Sequence, residues 1–184
     1  MATFRGFIAI EIQAVPPIID FEKAIIKTGA DVKLVEPKNI HLTLKFLGET
    51  DENQIDTIEQ IIKESVTNIP PFPLMLKGTG VFPNEKYLKV IWIGIISGDN
   101  LEKIANSLDE KLVTLGFKKE QRSYSAHLTI GRVRTAKNKE QLLTVIKNHN
   151  EKEFLQQEIR SVTLKKSELT PTGPIYTTLR EIPL

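Results

Sequence analysis

The chain of 184 residues contains no cysteine, one tryptophan, two methionines and three histidines. Without cysteine there is no disulfide framework, no thiolate zinc site and no thiol nucleophile. That absence also fits an intracellular or heat-tolerant protein. Charge of one sign is lacking as well: 25 Lys+Arg stand against 23 Asp+Glu, a formal net charge of +2. This is too little for generic coating of duplex DNA, although it leaves room for a local basic cleft. No apolar run approaches the roughly 20 residues that span a bilayer. The opening MATFRGFIAIEIQAVPP is broken by Arg5 and Glu11 and has no small-residue cleavage pattern, so it does not read as a secretory signal. The expectation is a soluble, cytoplasmic protein with no membrane partner.

What is present follows a repeated order. FRGFIAIEI reads as a strand closed by Pro16 and Pro17. Apolar positions then recur at helical spacing from Ile18 to Thr28, with Gly29 as the stop. A short VKLV and the strand IHLTLKFLG follow. Next comes an amphipathic helix through TDENQIDTIEQIIKESV, capped by Thr50 or Asp51, and two strands, FPLMLK and TGVF. The second half repeats the scheme. YLKVIWIGI is a strand, NLEKIANSLDEKLVTLG a helix stopped by Gly116, AHLTIGRVR a strand, and KNKEQLLTVIKNH a helix. A long strand through IRSVTLKKSEL and another through IYTTLREI finish the chain. No linker separates the approximate halves 1–86 and 87–184. They are expected to form one bilobal domain, with strands free to exchange between the lobes.

Two of the three histidines occupy one tetrapeptide frame, His-Leu-Thr-(Leu/Ile), at His41 and His127, 86 residues apart. In a strand alternate side chains share a face, so His41 goes with Thr43 and His127 with Thr129, while Leu42, Leu44, Leu128 and Ile130 bury. If the halves are related by an approximate two-fold axis, both polar faces line one cleft. Imidazole titrates near neutrality, so one ring can accept a proton while the other donates one. The hydroxyls can hold an oxyanion. This set suits in-line displacement at a phosphodiester. A zinc site has less support, because there is no HExxH spacing and no carboxylate within either motif. The serine-hydrolase signature G-x-S-x-G is also missing. His149, at a polar helix end in IKNHNEK, reads as a surface residue.

With these motifs the sequence resembles the two-histidine phosphoesterase superfamily, and within it the RNA 2',3'-cyclic phosphodiesterases, also called 2'-5' RNA ligases. The resemblance rests on the two H-x-T motifs, RGFIAI, KFLGE, GVFPN with VIWIGI, and the closing LTPTGPIYTTL. Family members commonly have Pro before the second histidine, where this chain has Ala126. The resemblance implies an α+β fold of two similar lobes, each an antiparallel sheet backed by helices, related by a pseudo-two-fold with a central cleft. It makes His41 and His127 the catalytic pair, His41 as general acid and His127 as activator of water. Thr43 and Thr129 become phosphate ligands, and Arg132 a contact to phosphate or base, with Arg134 an alternative. Arg5 and Phe7 share a face of the first strand and are further candidates for substrate binding. No cofactor and no metal are implied. The implied substrates are RNA ends, tRNA halves among them, or nucleoside 2',3'-cyclic phosphates, hydrolysed to 2'-phosphates by a monomer, with reversible 2'-5' ligation as a companion activity. Two alternatives stand beside this: a non-catalytic module that binds RNA ends, and a phosphodiesterase for other 2'-linked or cyclic nucleotides.

Overall fold

A computed structural model describes residues 2–96 and 98–184. In chain order it contains β1 (Thr3–Glu11), α1 (Pro16–Lys27), β2 (Val32–Leu34), β3 (His41–Asp51), α2 (Ile55–Val66), β4 (Phe72–Pro83) and β5 (Leu88–Ile96). It continues with α3 (Asp99–Lys111), β6 (His127–Val133), α4 (Lys139–Asn148), β7 (Glu153–Ile159), β8 (Ser161–Thr170) and β9 (Gly173–Pro183). The strands form two antiparallel sheets, one of four strands in the order β3-β1-β8-β9 and one of five in the order β2-β6-β5-β4-β7. The fold is α+β. Among the described residues no helix is long and apolar enough to cross a membrane.

The topology repeats with an exchange. In each sheet a histidine strand (β3 or β6) pairs with the strand that opens its half (β1 or β5). The next strand inward comes from the other half: β8 beside β1, and β4 beside β5. Helices cross in the same way. α2 and α3 pack on the four-stranded sheet, and α1 and α4 on the five-stranded one. The patterning explains why. Ile8, Ile10, Leu42 and Leu44 turn one face of the first sheet toward the apolar stripes of α2 (Ile58, Ile62) and α3 (Leu101, Ile104, Leu108), and all are buried. Burying each such side chain is worth about 1.5–3 kcal/mol, so the helix faces decide where the sheets close.

Three expectations need amending. FPLMLK and TGVF are one strand, β4, whose pairing with β5 shifts register between Leu76 and Thr79, beside Gly78 at φ +75°. EFLQQEI forms the edge strand β7, which the sequence pattern does not announce; its polar outward positions mask the alternation. His149 is half-buried rather than simply exposed: its Nδ1 lies 2.7 Å from the Val145 carbonyl and its ring 4.9 Å from that of Phe21.

Candidate active site

Both histidines stand at the first residue of their strands, and both are held alike. The His41 Nδ1 lies 2.6 Å from the carbonyl oxygen of Asn39, and the His127 Nδ1 2.8 Å from that of Ser125. A carbonyl can only accept, so Nδ1 carries the proton in each ring and Nε2 is left for chemistry. Asn39 is itself buried and anchored, its side-chain amide donating to the Pro174 carbonyl at 3.0 Å. The His41 Nε2 lies 3.0 Å from the Thr43 hydroxyl, so the two side chains share a face.

The motifs come together from opposite sheets. β3 packs against β6. Tyr124, three residues before His127, donates its hydroxyl to the Thr43 carbonyl at 3.1 Å. Lys45 fixes the same connector, reaching Asp109 on α3 at 2.5 Å and the Lys118 carbonyl at 2.8 Å. Burial works to raise the Asp109 carboxyl, but the bonds from Lys45 and the Glu120 N–H more than offset it and hold the carboxyl below its ordinary range.

A bulge sets the direction of the side chains after each motif. Thr43 pairs with Ala9 and Lys45 with Ile8, leaving Leu44 unpaired; Thr129 pairs with Trp92 and Gly131 with Ile91, leaving Ile130 unpaired. The extra residue reverses the alternation beyond it. Lys45 therefore turns to the helix side, while Phe46 and Arg132 occupy matching positions on the cleft face, opposite Phe7 and Val90. Strict alternation from His127 would have turned Arg132 away. Phe46, exposed over 64% of its surface, is a candidate that the sequence pattern hides. Gly131 has no such freedom as Lys45: a Cβ there would lie 2.8 Å from Val32 Cγ1.

Around the histidines the sheets supply aromatic walls. The ring of His41 lies 5.0 Å from Phe7 and 5.2 Å, edge-on, from Tyr176. Phe7 is only 4% exposed, so its place is behind the imidazole rather than open to a base. Phe82 meets His127 edge-on at 5.0 Å, and Trp92 lies across Gly80 beside it. Arg5 is exposed on the face of β1 that carries Phe7, and its row continues through Ser167 to Tyr176. The charges of Arg132 and Arg5 both act on the Tyr176 phenol, although burial is the larger influence and raises it. A third cation, Lys165, is 8% exposed and bonds to Glu11, the partner of His41 across β1 and β3, and to Thr178 at 2.9 Å. Desolvation lowers the His41 pKa, the Asn39 bond resists this, Lys165 adds to it and Glu11 opposes it. Among the described residues no group of three or more His, Asp or Glu is placed to hold a metal ion.

The profile of the 2'-5' RNA ligase superfamily matches residues 3–169. The chain belongs to this family. A curated relative from Methanocaldococcus jannaschii, an RNA 2',3'-cyclic phosphodiesterase, is 42% identical over 179 residues, covering 96% of this chain and 99% of its own length. Another of that name, from Methanothermobacter thermautotrophicus, is 40% identical over 148 residues, 80% of each chain. Among solved structures, TT0787 of Thermus thermophilus superposes with a TM-score of 0.81 at 24% identity, over 98% of this chain and 97% of that one. LigT of E. coli in complex with 3'-AMP gives 0.72 at 21% identity, over 100% and 99%. At these identities the two structures speak for the 2'-5' RNA ligase fold alone.

Proposed function

We propose that this chain hydrolyses RNA 2',3'-cyclic phosphate ends to 2'-phosphates, as a monomeric bilobal unit in which residues 1–184 act together. Relatives at 40% and 42% identity bear the name of that activity. The observation that carries the reading is the matched pair of imidazoles, each with Nδ1 tied to a carbonyl two residues back, which makes Nε2 the nitrogen that exchanges a proton; that of His41 lies 3.0 Å from the Thr43 hydroxyl. His127 takes a proton from water as its oxygen attacks phosphorus. The bond from phosphorus to the 3'-oxygen breaks, and His41 gives its proton to that oxygen. The phosphate then remains on the 2'-oxygen, and the two rings exchange one proton with solvent to reset. The Thr43 and Thr129 hydroxyls donate to the non-bridging oxygens. Phe46 and Arg132, on the cleft face of opposite sheets, offer a ring and a planar guanidinium to the terminal base or phosphate. Acid and base account for roughly 10²–10⁴-fold each, and positioning supplies the rest. With a 5'-hydroxyl in place of water as the nucleophile, the same groups in the same roles form a 2'-5' linkage, and run backward that step cleaves it and restores the cyclic phosphate. tRNA halves are substrates of the right chemistry.

The test is incubation with a nucleoside 2',3'-cyclic phosphate, in the presence and absence of EDTA, with the product isomer identified by chromatography. A 2'-phosphate formed equally in both is expected. A 3'-phosphate, no product, or activity that needs an added divalent ion would overturn the mechanism.

A further inference from the structure

Beyond the catalytic pair, the strand β6 leads toward a second feature. Its far end, the β4–β5 turn and the start of α4 enclose a groove of about 210 Å³. Lys86, Lys89, Arg134 and Lys139 line it, together with Tyr87, and among the described residues no acidic one does. Lys86, Lys89 and Arg134 form no ion pair among the described residues, in a protein whose overall charge is only +2. The turn is not slack: the Asn84 side-chain oxygen accepts from the N–H groups of Lys86 (2.9 Å) and Tyr87 (3.0 Å). Lys139 donates to the Lys86 carbonyl at 3.0 Å. Tyr87 stands 69% exposed on this fixed turn.

Strand β6 links the groove to the active site, with His127 at its first residue and Val133 at its last in the groove's wall. Arg132 reaches the cleft face through the bulge, Lys33 lies opposite it on β2, and Arg134 stands two residues on. Arg132 on β6, Lys33 on β2 and Arg134 just past the end of β6 are therefore spaced between the reacting centre and the groove. Seven residues separate His127 from Arg134, a path of about 20 Å at about 3.4 Å per residue less the bulge. A stacked nucleic-acid strand advances about 3.4 Å per nucleotide, so the groove lies about six nucleotides from the reacting end.

Resting on the activity proposed above, we infer that this groove is a second RNA site, which takes the phosphodiester backbone several nucleotides 5' of the cyclic phosphate. Unpaired lysines on a held turn suit phosphates without regard to sequence, and the exposed phenol ring suits a base face. The enzyme thereby distinguishes an RNA end from a mononucleotide.

The experiment compares kcat/KM for a dinucleotide and for an RNA of about twelve nucleotides, both ending in a 2',3'-cyclic phosphate, across a salt series. Wild type should favour the longer RNA by roughly tenfold or more at low salt, through KM, and lose that preference as salt rises. Lys86→Glu/Lys89→Glu should abolish the preference and leave dinucleotide turnover within about twofold. It should also flatten the salt slope of the longer RNA by about 0.7 for each phosphate that is no longer neutralised. Lys86→Gln/Lys89→Gln should fall between, and it decides the matter if the Glu pair disturbs folding and lowers both substrates equally. Equal use of the two lengths by wild type, or variants that keep the preference and its slope, would overturn the inference; preference for an acidic peptide over RNA as competitor would do the same. If wild type turns over neither substrate, the proposed activity has failed and the groove is tested by binding. Affinity for the longer RNA with a 2'-phosphate end should then still weaken in the Glu pair, and an unchanged Kd would count against the groove.

Discussion

His41 and His127 share one restraint on Nδ1 and sit in unlike surroundings. Phe7 and Tyr176 box the first, Thr43 meets its Nε2, and Lys165 with Glu11 stands alongside. The second has Phe82 edge-on as its wall. The contrast bears on proton transfer. Desolvation and Lys165 press His41 toward its neutral form, so the ring is a stronger acid once it is protonated. On the proposed mechanism, an anionic phosphate beside His41 would favour the imidazolium and so tie loading of the acid to the arrival of substrate.

The largest expected effect comes from removing either ring. His41→Ala and His127→Ala should each lower turnover by roughly 10²–10⁴-fold, and the double variant should be little worse, because the groups act as a unit. A phosphodiester with a p-nitrophenolate leaving group separates them: it needs little protonation and should partly rescue His41→Ala but not His127→Ala. Rescue of His127→Ala alone would exchange the roles. The threonines come next. Thr43→Val and Thr129→Val keep shape and lose a donor, at roughly 10²–10³-fold in kcat on the scale of one oxyanion ligand. Thr43→Val also strips the Nε2 partner from His41, so its pH profile should move while that of Thr129→Val keeps its shape. Unchanged kinetics in both would reduce the hydroxyls to strand formers.

A smaller effect tests how the two strands are joined. At the position after the bulge the first strand has Lys45 and the second Gly131. Lys45→Met leaves Asp109 largely buried without its cation, and should cost about 3 kcal/mol in denaturant unfolding. It should also lower kcat, because the connector to His127 loses its anchor; a variant as stable and as active as wild type would remove that role.

The histidines, the threonines and most elements were legible in the sequence because they obey local rules. Leu42, Leu44, Leu128 and Ile130 alternate with the motif residues, and Gly29 and Gly116 stop their helical segments in left-handed backbone at φ +68° and +88°. Features set by pairing were not legible. Whether Arg132 faces the cleft depends on an unpaired Ile130, and a bulge leaves no mark in a period-two pattern. Phe46 was hidden for the same reason. The exchange of β4 and β8 between sheets comes from which apolar faces meet, a choice made across the whole chain. Lys165 and Glu11 are 154 residues apart, and nothing local to either announces their pair beside His41.

That pair allows the most direct test of the roles. Lys165→Met removes a cation that disfavours the charged ring, so it should raise the His41 pKa, and Glu11→Gln should lower it. The measurement is kcat/KM against pH for wild type and both variants, with the apparent pKa values taken as those of the coupled pair. With His41 as the acid, activity is lost on the alkaline side as the ring gives up its proton, and burial works to bring that loss to lower pH. Lys165→Met should carry that alkaline limb to higher pH and Glu11→Gln to lower pH, with the acid limb left in place. Movement of the acid limb instead would make His41 the base and contradict the account.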